Sequence, residues 1–372
     1  MQVENTKKRS SKRIFYFDAL RSLAILSVIA VHVFMATKFM VLPEFSPNTS
    51  LNWYIADFLG VCTRCGVDLF LMLAGALSLG RVWSIKPFLQ KRLVRIVGPF
   101  AFWGLVLSLL FIGFSFFFPN VVHVVTSFDL NSMLNYIVNA YLANSTGFKL
   151  YWFFWMILGT YLTMPIVNKW LANSELTEAE YFLVIWLITS IFDYTIMQKF
   201  PIKLSYFTSP IGMVILGYYL RHTKRKIFDN IYLPIILMIA SAAIMIFFSH
   251  MFSTPKKFFW FDRYSIFMVM EVTGIFLLFR NIGKLNININ FFNNPDGIFR
   301  KSVFSIAKYS YGMYLTHQFC LSMVFLFVTA YVPGLGFKTM YAITFLGGVL
   351  LSWGIMALLN RVPYLNQIIG AK

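Results

Sequence analysis

The sequence predicts an all-α, polytopic integral membrane protein, a bundle of about ten transmembrane helices with both termini in the cytoplasm. Of its 372 residues, 59% are hydrophobic, 19% aromatic and only 12% charged, whereas a soluble domain carries about 25% charged residues. The mean hydropathy is +0.70, and the apolar residues form runs of the length that crosses a bilayer, about 20 residues. This composition excludes a disordered chain, a coiled coil and an ordinary cytosolic enzyme.

Ten apolar runs are candidate spans. They are centred on residues 14–37, 54–80, 97–118, 150–171, 181–198, 208–221, 231–250, 263–280, 303–330 and 339–360. The sixth run is short, and Pro201 and Pro210 flank its start. No loop is long enough to form a separate soluble domain. We therefore expect one membrane domain, 14–360, between a basic N-terminal tail, 1–13, and a C-terminal tail, 361–372.

Basic residues predict the orientation. An even number of spans puts both termini on one side, and with the N-terminus inside, 21 of the 32 lysines and arginines fall in inner segments and 8 in outer ones. Because cytoplasmic loops are enriched in lysine and arginine, we expect both termini in the cytoplasm of a multi-pass cell-membrane protein. The net charge of +18 then indicates contact with anionic lipid of the bilayer rather than with nucleic acid.

Cysteine content indicates little chemistry. Cys62, Cys65 and Cys320 are three, an odd number, so no complete disulfide framework is predicted. Cys62 and Cys65 form a C-x-x-C pair without a second pair, which favours two buried small residues on adjacent helix turns over a metal or redox site. The sequence contains no zinc signature, P-loop or Rossmann fingerprint, and we predict no metal site.

The first span carries the leading candidates for function, because ionisable groups are costly inside a bilayer. At about 100° per residue, Asp18, Arg21 and His32 share one helix face, with Arg21 and His32 about 16 Å apart along the axis. Asp18 and Arg21 have the spacing of an ion pair. A neutral imidazole suits general-base catalysis near pH 7. The alternative is that His32 is a hydrogen-bonded packing residue between helices.

A basic cluster follows the second span. Lys91, Arg92 and Arg95 lie on or beside one helix face at the inner boundary. They are typical of side chains that extend to the lipid headgroups, which is the more general interpretation. The functional alternative is a phosphate clamp, because guanidinium groups pair bidentately with phosphates.

Other spans hold polar or small residues whose role the sequence leaves open. Arg64 and Asp68 have the i,i+4 spacing of a neutralised pair within one helix. Gly75, between two alanines, forms a small surface on which another helix or a ligand could approach closely. Glu271 lies in the eighth span without an acidic neighbour, where it is protonated, paired with a basic group of another helix, or part of a site.

Five segments in register resemble the acyltransferase-3 family of membrane acyltransferases. FDALRSLAILSVIAVH resembles the family's first helix, in which an arginine is followed by ten residues and a histidine, as Arg21 and His32 are. GVDLFLMLAGALSL resembles the second-helix segment, with Ala74 in place of the usual serine, and RLVR matches an Arg-x-x-Arg motif. Two later segments, YWFFWMILGTYLTMPI and YSYGMYLTH, complete a resemblance that covers nearly the whole chain. Within the family, the chain resembles the short branch, which is similar to bacterial surface-polysaccharide O-acetyltransferases.

The resemblance implies an acyl-CoA donor, usually acetyl-CoA, and as acceptor a hydroxyl of a surface glycan or lipid-linked sugar. In this interpretation His32 deprotonates the hydroxyl or carries the acyl group covalently, and Arg21 with Asp18 orients the donor or stabilises developing charge. Candidate residues for the CoA phosphates are Arg92, Arg95 and Lys91. Candidates for binding the sugar are Trp152, Tyr311, Tyr314 and His317. The alternative function is a translocator of polysaccharide or lipid-linked sugar that performs no acyl transfer.

Overall fold

The computed structural model describes residues 13–40, 50–119, 122–125, 127–196, 202, 210–251, 262–284, 294 and 297–371, and these residues contain helices and no β-strand. They form thirteen α-helices: α1 (Phe15–Thr37), α2 (Leu51–Cys62), α3 (Gly66–Ser78), α4 (Ile85–Phe117), α5 (Leu130–Tyr141), α6 (Trp152–Ala172), α7 (Leu176–Thr189), α8 (Pro210–His222), α9 (Tyr232–Met251), α10 (Ile266–Lys284), α11 (Ile298–Tyr331), α12 (Phe337–Leu359) and α13 (Leu365–Ile368). Short 3₁₀ turns cover Lys38–Met40, Lys149–Tyr151 and Lys226–Asp229, and a π-helical segment, Ser190–Ile196, extends α7.

Nine helical stretches in the described part of the chain are long and apolar enough to cross a membrane, which confirms the polytopic bundle. Helices α2 and α3 form one of these stretches, although the helix is interrupted at Thr63–Cys65. The predicted sixth span corresponds to α8, whose 13 residues extend about 20 Å, less than the hydrocarbon core of about 30 Å. Most of its side chains are buried, so α8 lies inside the bundle. The cytoplasmic location of the termini stays a prediction.

Helix α1 lies at the centre of the bundle. It packs against α2, α3, α10, α11 and α12, and four of its apolar side chains, those of Leu20, Ala24, Ile25 and Ile29, are fully excluded from solvent. The helix is therefore apolar on several faces rather than along one stripe, as expected of a helix surrounded by others. The polar groups of α1 consequently face other helices instead of lipid.

Helices α3 and α8 approach each other through glycine. A Cβ atom added at Gly75 would collide with the backbone carbonyl of Val214, and one added at Gly217 would collide with the carbonyl of Met72. The small surface at Gly75 therefore accommodates another helix, as one of the two predicted alternatives had it. Small residues at such crossings allow backbones to pack closely in membranes.

The variant Gly75→Ala is expected to destabilise the bundle, because its methyl group meets the backbone of Val214, which cannot move as a side chain can. Overpacking of this kind costs about 1–3 kcal/mol. The thermal unfolding midpoint in detergent should therefore fall. Gly113→Ala is the matched control, since nothing lies within 4 Å of its Cβ position. Equal midpoints for the two variants would contradict the close crossing.

The last described residues fold back onto the bundle. The turn at Tyr364 adopts a φ of 68°, and Ile369 after it is fully buried. The indole Nε1 of Trp103 on α4 donates a hydrogen bond of 3.1 Å to the carbonyl of Ile369. The segment predicted as a tail thus packs against α4 and α11 as far as residue 371.

Candidate active site

An internal cavity of about 180 Å³ opens between α1, α3, α4, α6 and α11. Aromatic rings and three cationic side chains line it, and no acidic residue is among the described residues that do so. The lining consists of Arg21, Phe70, Arg95, Ile96, Phe153, Ile157, Tyr161, Ala307, Lys308, Ser310, Tyr311, Tyr314 and Gly370. A cavity with this lining favours a ligand that is anionic at one end and less polar at the other.

The three cations of the cavity, Arg21, Arg95 and Lys308, lie near the same end of the bundle. Arg95 and Lys308 each follow the first residue of their helix by ten positions, and Arg21 lies in the second turn of α1. This is the end that the sequence predicts to be cytoplasmic. Arg95 is exposed, whereas Arg21 and Lys308 are half-buried, so the positive charge extends from the mouth into the cavity.

Asp18 pairs with two arginines near the N-terminal end of α1. Its carboxylate accepts two hydrogen bonds from Arg13, of 2.6 and 3.0 Å, and lies 3.5 Å from Nη1 of Arg21. The predicted pair with Arg21 is confirmed, but Arg13, which the sequence analysis did not single out, is the nearer partner. The hydrogen bond to Asp18 raises the pKa of Arg13. Asp18 is 4% exposed, and its carboxylate oxygens are directed to the two arginines.

The three basic residues of the predicted phosphate clamp lie in three different environments. Arg95 lines the cavity. Arg92 donates a hydrogen bond of 2.5 Å to Oγ of Ser78, and its guanidinium lies 5.7 Å from the ring centroid of Tyr161, which also lines the cavity. Lys91 is exposed and does not line the cavity. The structure therefore places Arg95 in the cavity, Arg92 beside it and Lys91 outside.

His32 and His317 form a pair next to the far end of the cavity. Nε2 of His317 lies 3.3 Å from Nδ1 of His32, with ring centroids 5.1 Å apart. His317 is 1% exposed and follows the cavity residue Tyr314 by almost one helical turn. The sequence predicted both histidines as site residues, but it assigned His317 to the sugar and did not predict the pair.

The neighbours of the pair determine which nitrogens carry protons in the neutral rings. Nδ1 of His317 lies 2.5 Å from the carbonyl of Tyr314, and Nδ1 of His32 lies 2.6 Å from the carbonyl of Val28. Because a carbonyl only accepts hydrogen bonds, both Nδ1 atoms are donors. Nε2 of His317 is then an acceptor that faces Nδ1–H of His32. The lone pair on Nε2 of His32 is left to take a proton.

Tyr311 and Tyr314 contribute their rings, not their hydroxyls, to the cavity. The hydroxyl of Tyr311 donates to the carbonyl of Ile96 at 2.8 Å, and that of Tyr314 donates to the carbonyl of Leu150 at 2.6 Å. These hydrogen bonds fix α11 to α4 and to the turn before α6. Both residues lie at the site as predicted, but their hydroxyls are already used within the protein.

Trp152 directly precedes Phe153 of the cavity wall. Its ring contacts a cationic side chain that the sequence did not indicate. The guanidinium of Arg263 lies over the Trp152 ring, 4.0 Å from its centroid. Arg263 precedes α10 and is half-buried. One face of the predicted sugar-binding indole is thus covered by a cation.

One of the interpretations left open for Arg64 and Asp68, a neutralised pair within one helix, is not observed. The helix is interrupted between them, and among the described residues neither carboxylate oxygen of Asp68 has a hydrogen-bond partner. Asp68 is fully buried and interacts electrostatically with Glu271, which is 4% exposed. Cys65, the residue before α3, has its Sγ 3.6 Å from Oγ of Ser27, and it is a free thiol.

A helical membrane bundle with two paired imidazoles beside a cation-lined internal cavity defines an integral membrane protein with a histidine-centred internal site. The chain belongs to the acyltransferase-3 family, whose family model, described as an acyltransferase domain, matches residues 14–358. The protein is therefore a multi-pass membrane acyltransferase. No curated protein and no solved structure shows a significant match to the chain.

Proposed function

We propose that the protein transfers an acyl group, in the first instance acetyl, from acyl-CoA to a hydroxyl of a cell-surface polysaccharide or lipid-linked sugar. One observation carries the proposal: a cavity has Arg21, Arg95 and Lys308 at one end and is also lined by Tyr314, which lies about one helical turn before His317 of the imidazole pair. Cations suit the phosphates of CoA, and an imidazole with a free lone pair suits the activation of a hydroxyl.

The dimensions support this assignment. Arg21 and His32 are separated by about 16 Å along α1. The arm between the pyrophosphate and the sulfur of CoA has about 13 covalent bonds and spans roughly 15 Å when extended. A donor whose phosphates lie among Arg21, Arg95 and Lys308 can therefore bring its thioester close to His32. This gives Arg21 the task of holding the donor, one of the two tasks predicted for it.

In the proposed reaction Nε2 of His32 takes the proton of the acceptor hydroxyl as its oxygen attacks the thioester carbonyl. The carbon–sulfur bond breaks, and the departing sulfur takes the proton back from His32. The products are an ester and free CoA, and the imidazole returns to its neutral form. The deep location of the cavity limits water, which would otherwise compete with the hydroxyl for the thioester.

His317 is a positioning residue in this proposal. Its Nε2 is the second and more distant acceptor of Nδ1–H of His32, which also donates to the carbonyl of Val28, while its own Nδ1–H is directed to the carbonyl of Tyr314. The hydrogen bonds keep the proton of His32 on Nδ1 and the lone pair on Nε2, where the acceptor hydroxyl is to be activated. The same arrangement fixes the orientation of the His32 ring.

His317→Leu is expected to lower kcat about fivefold, because it removes one hydrogen bond worth about 1 kcal/mol. The KM for acetyl-CoA should stay within about twofold, since His317 does not line the cavity. His317→Gln, which restores an acceptor, should recover part of the rate. Steady-state kinetics on the variants in nanodiscs measure both constants. A rise in donor KM at unchanged kcat would assign His317 to substrate binding instead.

The proposed function is tested with purified protein in nanodiscs, acetyl-CoA and a cell-envelope glycan extract. Binding of acetyl-CoA and release of free CoA thiol only when the extract is present are the expected results. Failure to bind acetyl-CoA or any longer acyl-CoA would contradict the donor. Binding of glycan and its passage across a membrane without thiol release would favour the translocator.

A further inference from the structure

The side of the histidine pair away from the cationic cavity has its own positive charge, on Arg263. The first residues of α6 hold this group in place, since Trp152 supports the guanidinium at 4.0 Å and Phe153 lines the cavity. The hydroxyl of Tyr151 lies 3.4 Å from the carbonyl of Leu315, two residues before His317. The guanidinium therefore lies at the level of the histidine pair, and it interacts electrostatically with His32.

Other cations converge on the same place. Arg64 interacts electrostatically with His32 and with Arg263, and Lys38 follows the last turn of α1. Burial, and then the positive charge of Arg64, lowers the pKa of Lys38. Like charges disfavour one another, so a negative charge that binds among these cations is stabilised.

The acidic groups of this region do not form a direct ion pair with Arg263 among the described residues. Asp262 and Asp57 interact with Arg64, and the buried Asp68 interacts with Arg263 and with Glu271. Among the described residues, however, no carboxylate oxygen lies within 4 Å of the Arg263 guanidinium. Cζ of Arg263 lies over the Trp152 ring, and a guanidinium carries five N–H donors in a planar fork. The indole thus supports a guanidinium that has no ion-pair partner among the described residues.

From this arrangement we infer that the acceptor carries an anionic group, a carboxylate or a phosphodiester, close to the hydroxyl that is acylated, and that Arg263 on Trp152 binds it. This inference rests on the proposed function. The planar guanidinium matches the two oxygens of either group. Fixing that anion would place a neighbouring hydroxyl at Nε2 of His32, so Arg263 determines which acceptors are used.

A competing role for Arg263 is stabilisation of the negative oxygen that develops on the thioester carbonyl. The two roles predict changes in different kinetic constants when Arg263 is replaced. A residue that stabilises the reacting oxygen affects kcat for every acceptor, charged or neutral. A residue that binds the acceptor's own charge affects the KM of anionic acceptors alone.

The test compares each anionic glycan with a neutral form of the same polymer, in which carboxylates have been reduced to alcohols or phosphodiesters removed. Initial rates of CoA release are measured for wild type, Arg263→Gln, Arg263→Lys and the control Lys338→Gln, an exposed residue at the start of α12. We expect Arg263→Gln to raise the KM of the anionic polymer about 10- to 100-fold with kcat within twofold. The KM of Arg263→Lys for the anionic polymer should lie between those of wild type and Arg263→Gln, and the KM of Lys338→Gln should equal that of wild type.

Two results would overturn the inference while the proposed function stands. One is equal use of the anionic and neutral polymers by the wild-type protein. The other is a fall in kcat of Arg263→Gln that is the same for both polymers. Absence of CoA release by wild type with every polymer would contradict the proposed function itself. The carboxylate and phosphodiester arms distinguish which anion the acceptor carries.

Discussion

His32→Gln is expected to lower kcat at least 100-fold while the affinity for acetyl-CoA stays within twofold of wild type. A positioned general base contributes about 10²–10⁴-fold to such a rate, and glutamine provides no lone pair of comparable basicity. Its amide can still donate to the carbonyl of Val28, as Nδ1 of His32 does at 2.6 Å, so the fold should be retained. Rates of CoA release and equilibrium binding of acetyl-CoA measure the two effects separately.

The matched control is His222→Gln, which changes an exposed imidazole at the end of α8, against the ring of Tyr218. It should behave as wild type. If His32→Gln retained more than a tenth of the wild-type kcat, the assignment of the base would be wrong. Incubating the wild-type protein with labelled acetyl-CoA alone addresses the covalent alternative, because an acyl-imidazole would retain the label on His32.

The second large effect is expected at the cationic end of the cavity. Arg95→Gln should raise the Kd for acetyl-CoA about 10- to 100-fold, because hydrogen bonds to charged groups contribute about 1.5–3 kcal/mol. The effect should be smaller at high salt, since Arg95 is exposed at the mouth. Its kcat at saturating donor should stay close to wild type, because the residue lies far from the histidine pair.

Lys91→Gln is the control for this prediction. Lys91 lies one helical turn before Arg95 on α4 and is exposed, but it does not line the cavity. Its Kd for acetyl-CoA should change less than twofold. Equal losses for the two variants would contradict a defined phosphate site and would indicate a general attraction of the basic surface for the anionic donor.

Local sequence pattern was sufficient to predict the spans and the residues of α1. The observed helices correspond to nine predicted spans, because each needs a long apolar run that is visible in the sequence. Their ends agree within a few residues except at α4, which begins at Ile85 rather than near residue 97. Asp18 and Arg21 pair as their i,i+3 spacing predicted. The span at α8 was the exception, since a short apolar run with prolines at its start has the same composition whether it crosses the bilayer or is buried in the bundle.

The site itself depends on contacts between distant parts of the chain. His32 and His317 are separated by 285 positions, and no periodicity of either helix indicates that their rings meet. Lys308 was counted only as a basic residue within a span and Arg263 only as a residue of an outer loop. The structure places Lys308 in the cavity and Arg263 on the ring of Trp152. Their roles follow from packing, which the sequence alone does not specify.

Helix interruptions were a second source of error. The spacing of Arg64 and Asp68 predicted a pair only if the helix was continuous, and the break at Thr63–Cys65 removes that condition. Cys62 is the last residue of α2 and Cys65 lies in the break, so the two cysteines are not on adjacent turns of one helix. No glycine or proline lies between Cys62 and Cys65 to signal the break.

The most direct test of the central claim follows the acyl group itself. Purified protein in nanodiscs is incubated with acetyl-CoA labelled in its acetyl group and with the glycan extract, and the glycan is isolated. We expect the label on the glycan as an alkali-labile ester, in proportion to the CoA released, and none with His32→Gln. Release of CoA with the label recovered as free acetate, or an unlabelled glycan, would contradict acyl transfer to a sugar hydroxyl.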